Sequence, residues 1–383
     1  MSRYRKQYLL TPGPTMIPPA VIEARAKQLP HHRTPQFMKL MTHIHEELKY
    51  LFQTKNNVYT ITASGSGGME ASVASLLSPG DTALVINSGK FGERWLELCK
   101  NFGIKVMEYK VEPGFAAQAA ELAKLLQQYP KVKAVFAQLV ETSTGVTHPI
   151  EALGKVVAST PAVFVVDCIS GLCAEELRTD DWNIDIAIGG SQKGTMLPPG
   201  LSFLTVSDKA WAQIDQCKNS VYYFDLKLYR KGHITSEHPF TPAISLYIEM
   251  DEVLKMIRAE GIENIWRRHA WLANASRAGV AALGLENFSH ASSNSLTAVK
   301  APTGLDVGKF LKLLRDDLGV TLTNGQSELK DKIFRIAHLG YVDRFDIVVA
   351  FSAMEMALKR LGFPVTMGKS VTAVQEKLLN DPN

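Results

Sequence analysis

The sequence predicts an α/β protein with a mainly parallel sheet in a large domain and a smaller α+β domain at the C-terminus. Three observations carry this. Short apolar runs alternate with helical patterns from about residue 58 to 206. Those runs are continuously apolar, as strands buried on both faces read. Around residue 243 the texture changes to long helical stretches and then to short mixed elements.

The apolar runs are "VYTIT" (58–62), "TALVIN" (82–87), "AVFAQLV" (134–140), "AVFVVD" (162–167), "IDIAIGG" (184–190) and "LSFLTV" (201–206). Helical patterns such as "GMEASVASLLS" and "ERWLELCKNFG" lie between the first four. Met69, Val73, Leu76 and Leu77 share one helical face, and Gly80 follows the helix end. A β-α-β-α order implies a mainly parallel sheet covered by helices. Only "SQKGTMLPPG" separates the last two runs, so they predict a hairpin-like antiparallel strand. From residue 244 the helix signal is nearly continuous, with a break at Gly261. The later runs "SLTAVKAP", "VTLT" and "IFRIAHLG" read as strands. Asp343 is placed to N-cap the last main helix and Gly362 to end it. The tail "SVTAVQEKLLNDPN" suggests a short amphipathic helix. The expected division is an N-terminal arm (1–20), a large domain (21–255) and a small domain with its tail (256–383).

Composition narrows the class. Of 383 residues, 46% are hydrophobic and 21% charged, which is globular. Net charge is only +4 and no Lys/Arg block appears, so nucleic acid is not an expected partner. Cys99, Cys168, Cys173 and Cys217 form no CxxC pair, and reduced thiols in a cytoplasmic protein are expected. The opening "MSRYRKQYLLTPGP" has no apolar core of a signal peptide. No apolar run approaches the ~20 residues of a membrane helix, so no membrane partner is expected. His43 and His45 are two apart and face different ways on a helix, and no ligand spacing is completed, so no metal is expected.

Open parallel sheets bind ligands beyond the carboxyl ends of their strands. At those ends stand "ASGSGGMEAS", "SGKFGER", "ETSTG", Asp167 and "GGSQKG" with Lys193. The set offers small donors opening a helix, an aromatic ring, a hydroxyl, a carboxylate and a lysine. Pyridoxal 5'-phosphate requires these parts. Ser64, Gly65 and Ser66 at a helix N-terminus suit a phosphate. Phe91 offers a face for the ring. Asp167 would keep a pyridine nitrogen protonated by charge pairing. Lys193 supplies the primary amine for a Schiff base.

The motifs "TPGP" (11–14), "SGSGGMEA" (64–71), "ETSTG" (141–145), "VDCISGL" (166–172), "GGSQKG" (189–194), "TPAISLY" (241–247) and "FRIAHLG" (334–340) occur in this order. With them the chain resembles the class V aminotransferases of pyridoxal-phosphate fold type I, in the alanine–glyoxylate and serine–pyruvate (serine–glyoxylate) branch. The resemblance runs from "LLTPGPTMIPP" to about Gly362. It implies that Lys193 holds the cofactor with Gln192 beside it, that Asp167 and Ile169 line the ring, and that Phe91 stacks on it. It further implies that Thr142 reaches the ring hydroxyl and Arg335 binds the substrate carboxylate. It assigns Thr241 to the phosphate of the other subunit in a homodimer. The implied reaction moves an amino group between a small amino acid and a small 2-oxo acid.

Each residue taken alone has a plainer reading. Lys193 could be a solvated loop lysine, Asp167 a helix cap, Phe91 a core side chain, Thr142 a turn residue and Arg335 one half of an ion pair. "SGSGG" resembles a dinucleotide signature, but Glu70 stands where its third glycine would fall. Two other functions share the fold. A lyase of the cysteine-desulfurase type needs a mobile cysteine in the C-terminal half, and none follows Cys217. A catalytically silent subunit of a larger complex would be free to lose the lysine, and this chain keeps it.

Overall fold

The computed structural model describes residues 6–379. The first five residues of the expected arm and the last four of the tail lie outside the described residues.

The central sheet has seven strands: β1 (Val58–Ile61), β2 (Thr82–Asn87), β3 (Lys105–Lys110), β4 (Val132–Gln138), β5 (Val163–Asp167), β6 (Ile186–Gly190) and β7 (Ser202–Thr205). Their order across the sheet is β1-β7-β6-β5-β4-β2-β3. β2 to β6 pair in parallel. β7 runs antiparallel to both β6 and β1, as the short "SQKGTMLPPG" connection predicts.

Side chains alternate between two apolar cores. Leu84 and Ile86 join Phe37, Leu48, Phe52 and Phe164 on one face. Ala83 and Val85 join Met69, Val73, Trp95 and Phe136 on the other. Burial on both sides explains why these strands read as unbroken apolar runs.

Two expectations fail for physical reasons. β3 does not appear as an apolar run because it is the sheet edge. Lys105, Glu108 and Lys110 are exposed there, and charged side chains protect an edge from further pairing. The run 134–140 does not continue through Leu139. β4 ends at Gln138, and Val140–Glu141 turns into a small antiparallel pair with Val146–Thr147.

The helices Ile244–Glu260 and Ile262–Ala282 meet at Gly261, whose φ of 84° breaks the helical path. The second passes between cores. Ile262, Ile265 and Trp266 pack with the central sheet. Leu272, Ala275 and Val280 pack with Phe310, Phe334, Phe351 and Leu10. A smaller antiparallel sheet, β8 (Leu296–Lys300), β9 (Thr323–Asn324) and β10 (Ile333–Ala337), lies in this third core in the order β8-β10-β9. The arm is tied to it. Tyr8–Leu9 pairs in parallel with Val320–Thr321, and the Ala337 N–H donates to the Leu10 carbonyl at 2.9 Å. Among the described residues no helix is long and apolar enough to cross a membrane.

Asp343 caps the Arg344–Arg360 helix as expected. Its carboxylate accepts from the N–H groups of Phe345 and Asp346, while the Asp346 carboxylate accepts from the Asp343 N–H at 2.9 Å. Gly362 follows the helix end with φ 84°. Replacing Asp343 by Ala should cost about 1 kcal/mol of stability. A denaturant melt should show the lower midpoint with no change in the near-ultraviolet signature of the native state.

Candidate active site

The site forms where the strand ends meet. β1 leads into the Gly65–Leu76 helix, with Ser64 as an exposed N-cap whose side chain makes no capping bond. The N–H groups of Gly65 and Ser66 therefore keep their donor capacity, while that of Gly67 donates to the Ser64 carbonyl at 2.8 Å. Gly65 is a close-approach residue, since a Cβ there would lie 2.7 Å from Ile169 Cγ1. The end of β6 is equally tight: a Cβ on Gly190 would lie 3.1 Å from Ile169 Cγ2 and 3.5 Å from Gly65 Cα. Gly65 thus lies against Ile169, with Ser64 and Ser66 on either side of it in the chain.

Phe91 opens the Lys90–Asn101 helix after β2. Its placement depends on Glu141, a fully buried carboxylate that accepts from the N–H groups of Phe91 (3.1 Å) and Gly92 (3.0 Å). Ser143 donates to the same carboxylate through both its N–H and its hydroxyl. Burial raises the Glu141 carboxyl above its usual range, against the pull of those donors. Arg94, one turn on from Phe91, lies with its guanidinium carbon 4.9 Å from the Phe91 ring centre and donates to Ser66 Oγ at 2.9 Å. Glu141 opens the quoted "ETSTG" motif and Arg94 ends "SGKFGER", yet neither is evident without the fold. Their roles depend on which helix end and which ring they meet.

Asp167 ends β5, opposite Gln138 on β4 and Ile188 on β6. Its Oδ1 accepts from the Ile169 N–H at 2.8 Å. Burial lifts this carboxyl to about 7. Glu141 adds to the rise, and the Ile169 N–H, Arg94 and Lys193 oppose it. A cation placed against Asp167 would hold it ionised.

Lys193 follows β6 in a loop that folds on itself. Ser191 Oγ donates to the Pro198 carbonyl and Thr195 Oγ1 to the Ser191 carbonyl. The Lys193 side chain is buried, and its Nζ donates to the carbonyl of Pro12. The "TPGP" turn therefore lies directly on the lysine. Gly13, at φ 115°, packs so closely that a Cβ would lie 2.6 Å from Lys193 Cδ, Cε and Nζ. Burial pushes the Lys193 amine down to about 8. Asp167 resists the shift, and Arg335 and Arg94 add to it.

Arg335 lies on β10 and is buried. Its Nε and Nη2 donate to the Asn324 carbonyl, at 3.1 and 2.8 Å, and its Nη1 to the Thr142 carbonyl at 2.9 Å. Among the described residues no carboxylate pairs with it. A guanidinium has five N–H donors, so one remains on each terminal nitrogen. Burial lowers it to about 10, with Glu141 acting the other way. Thr142 Oγ1 donates to Ser170 Oγ at 2.7 Å. Thr241 is exposed on the stretch before the Ile244–Glu260 helix.

These residues fit pyridoxal phosphate. Gln192 Oε1 is buried without a hydrogen-bond partner, which a native protein rarely tolerates. The Gly65–Leu76 helix offers uncapped donors, and the lysine and the carboxylate end neighbouring strands. The family model for class-V aminotransferases matches residues 7–349. The chain belongs to this family. This class V aminotransferase is 34% identical to the serine–glyoxylate aminotransferase of Methylorubrum extorquens, covering 98% of this chain and 97% of that one. It is 38% identical to a protein of Anabaena cylindrica named as the 42 kDa subunit of a soluble hydrogenase, over 93% and 94% of the two chains. The crystal structure of ureidoglycine–glyoxylate aminotransferase from Bacillus subtilis superposes with a TM-score of 0.94 at 27% identity, covering 98% of each chain. The fold is that of the pyridoxal-phosphate-dependent aminotransferases.

The lowered Lys193 amine has a readable consequence. An ordinary lysine amine becomes neutral only near its usual pKa of about 10.4. Lys193 should become neutral, and so nucleophilic, as pH rises through about 8. Reductive methylation of the cofactor-free protein, followed by peptide mass spectrometry, should give that midpoint. Asp167→Asn removes the charge that favours the ammonium form and should move the midpoint lower.

Proposed function

We propose that this aminotransferase carries an amino group from a small amino acid, alanine or serine, to a small 2-oxo acid, glyoxylate or pyruvate, in a two-half ping-pong reaction with pyridoxal phosphate. The observation that carries the reading is the buried Arg335, held by the Asn324 and Thr142 carbonyls and without a carboxylate partner among the described residues. A buried guanidinium with one spare donor on each terminal nitrogen suits a carboxylate that arrives and leaves.

In this reading Lys193 holds the cofactor, Asp167 faces its ring nitrogen and Phe91 its ring. Ser64, Gly65 and Ser66 hold the phosphate, and Gln192, Ile169 and Thr142 line the remaining edge. Bound pyridoxal phosphate acts as an electron sink that makes the α-hydrogen of an attached amino acid acidic. Arg335 fixes the α-carboxylate at two points, which selects the Cα bond that breaks. Lys193 takes the α-proton on Nζ, aided by an amine that burial has already made easier to deprotonate. Asp167 retains its negative charge against the ring nitrogen and so keeps a proton there. The Pro12–Gly13 turn limits water at Lys193.

The working unit in this reading is a cytoplasmic homodimer, with Thr241 of the partner subunit at the phosphate. Tyr222 and Ile234 are 77% and 78% exposed in the aromatic-rich segment before Thr241, which supports an interface there. The division into arm (1–20), large domain (21–255) and small domain (256–383) is part of the same proposal. The hydrogenase-named relative points to a second reading, a catalytically silent subunit. The presence of Lys193, Asp167 and Arg335, all buried, supports the enzyme. A lyase of the cysteine-desulfurase type is not supported. Cys217, the last cysteine of the sequence, is engaged with the Leu77 carbonyl at 3.3 Å.

Purified protein should be yellow, and borohydride should bleach it and fix the cofactor on the peptide containing Lys193. A colourless protein, or a label on another lysine, would reject the reading. Assays of alanine and serine against glyoxylate and pyruvate identify the pair. Arg335→Lys should lose about 2–5 kcal/mol of transition-state binding, roughly 30-fold to a few thousand-fold in kcat/KM. Unchanged kcat/KM would make Arg335 structural. Sedimentation velocity at assay concentration should give a dimer, and a fully active monomer would refute the shared site.

A further inference from the structure

Arg94 has no part in the reading above, yet the structure gives it an unusual position. It stands one helical turn after Phe91 on the Lys90–Asn101 helix, half-buried, with its guanidinium against the Phe91 ring. The acidic side chains nearby on that helix are engaged elsewhere: Glu93 and Glu97 lie 2.9 and 3.8 Å from Lys90 Nζ. Among the described residues no carboxylate pairs with Arg94. Its hydrogen bond instead goes to Ser66 Oγ.

That bond matters for the hydroxyl as well as for the cation. Because Ser66 Oγ accepts from Arg94, its own hydrogen points away from the guanidinium and is available to a second acceptor. Ser66 lies in the first turn of a twelve-residue helix whose N-cap side chain makes no capping bond. The unpaired N–H groups of Gly65 and Ser66, the positive end of the helix dipole, a hydroxyl donor and a guanidinium thus converge, with no negative charge among them. The Arg94 charge also reaches the reacting groups, where it disfavours the protonated amine of Lys193 and favours the ionised form of Asp167.

We infer that Arg94 is the cationic member of the cup that holds the cofactor phosphate, acting together with Ser66 and the N-terminus of the Gly65–Leu76 helix. The inference rests on the pyridoxal-phosphate reading above. The competing anion is a distal carboxylate on the amino donor. Phosphate is the better match because the hydrogen bond of Arg94 is made to the first turn of the cup helix. The α-carboxylate donors belong to Arg335, on a different sheet.

The test compares pyridoxal phosphate with pyridoxal, which lacks the phosphate. Full-length protein is stripped of cofactor, and binding is followed by quenching of tryptophan fluorescence. Arg94→Gln should weaken pyridoxal phosphate about 10–100-fold, the loss of a charge-assisted contact, and leave pyridoxal nearly unchanged. Arg94→Lys keeps the charge and should recover part of the loss. Circular dichroism and melting of each variant establish that it is folded. Equal weakening of both ligands would overturn the assignment and place the effect at Phe91 or Lys193. So would unchanged phosphate affinity joined to selective loss of dicarboxylic donors. If the unmodified protein takes up neither ligand, the parent reading fails and this one with it. A failure confined to the Arg94 variants overturns this one alone.

Discussion

The site is organised around the burial of one amine. Lys193 is removed from water, hydrogen-bonded to a main-chain carbonyl and within the electrostatic reach of two guanidinium groups. An ammonium in such a place is expensive, and the protein relieves it by making the neutral form accessible near physiological pH. The positions of the other side chains follow from this. Asp167 is the carboxylate that keeps the lysine from losing its proton altogether, and the lysine in turn restrains the rise of Asp167.

A second buried carboxylate shapes the same cleft without touching the lysine. Among the described residues Glu141 makes no ion pair. It is satisfied by the N–H groups that begin the helix carrying Phe91 and by Ser143. Its charge raises Asp167 and steadies Arg335. One side chain therefore sets the orientation of an aromatic ring and the charge balance of two other groups. Only a carboxylate affects the electrostatics of both neighbours.

Much of this was legible in the sequence, and the reasons are physical. Unbroken apolar runs identify strands packed between two helical layers, and β1, β2 and β4 to β7 all emerge. β3 is invisible because an edge strand needs polar side chains. Gly261, Asp343 and Gly362 mark helix ends because backbone geometry limits what can stand there. Lys193, Asp167 and Phe91 stand out in the sequence because each lies at or just beyond the carboxyl end of a strand. Glu141 and Arg94 are not found, since their significance lies in contacts 50 and 28 residues away. The "TPGP" turn is visible as a motif, but its resting place on the lysine is a tertiary fact.

That resting place makes the arm a mechanical link. Residues 8 and 9 are zipped to Val320–Thr321, and Leu10 is embedded beside Phe334, next to the strand that carries Arg335. Two residues further on, the Pro12 carbonyl holds the amine. So little chain cannot absorb a large displacement. Any tilt of the small sheet relative to the central one must drag the turn across Lys193. In the proposed reaction, capture of a carboxylate by Arg335 would be geared to the cover over Lys193 through a linkage a few peptide bonds long.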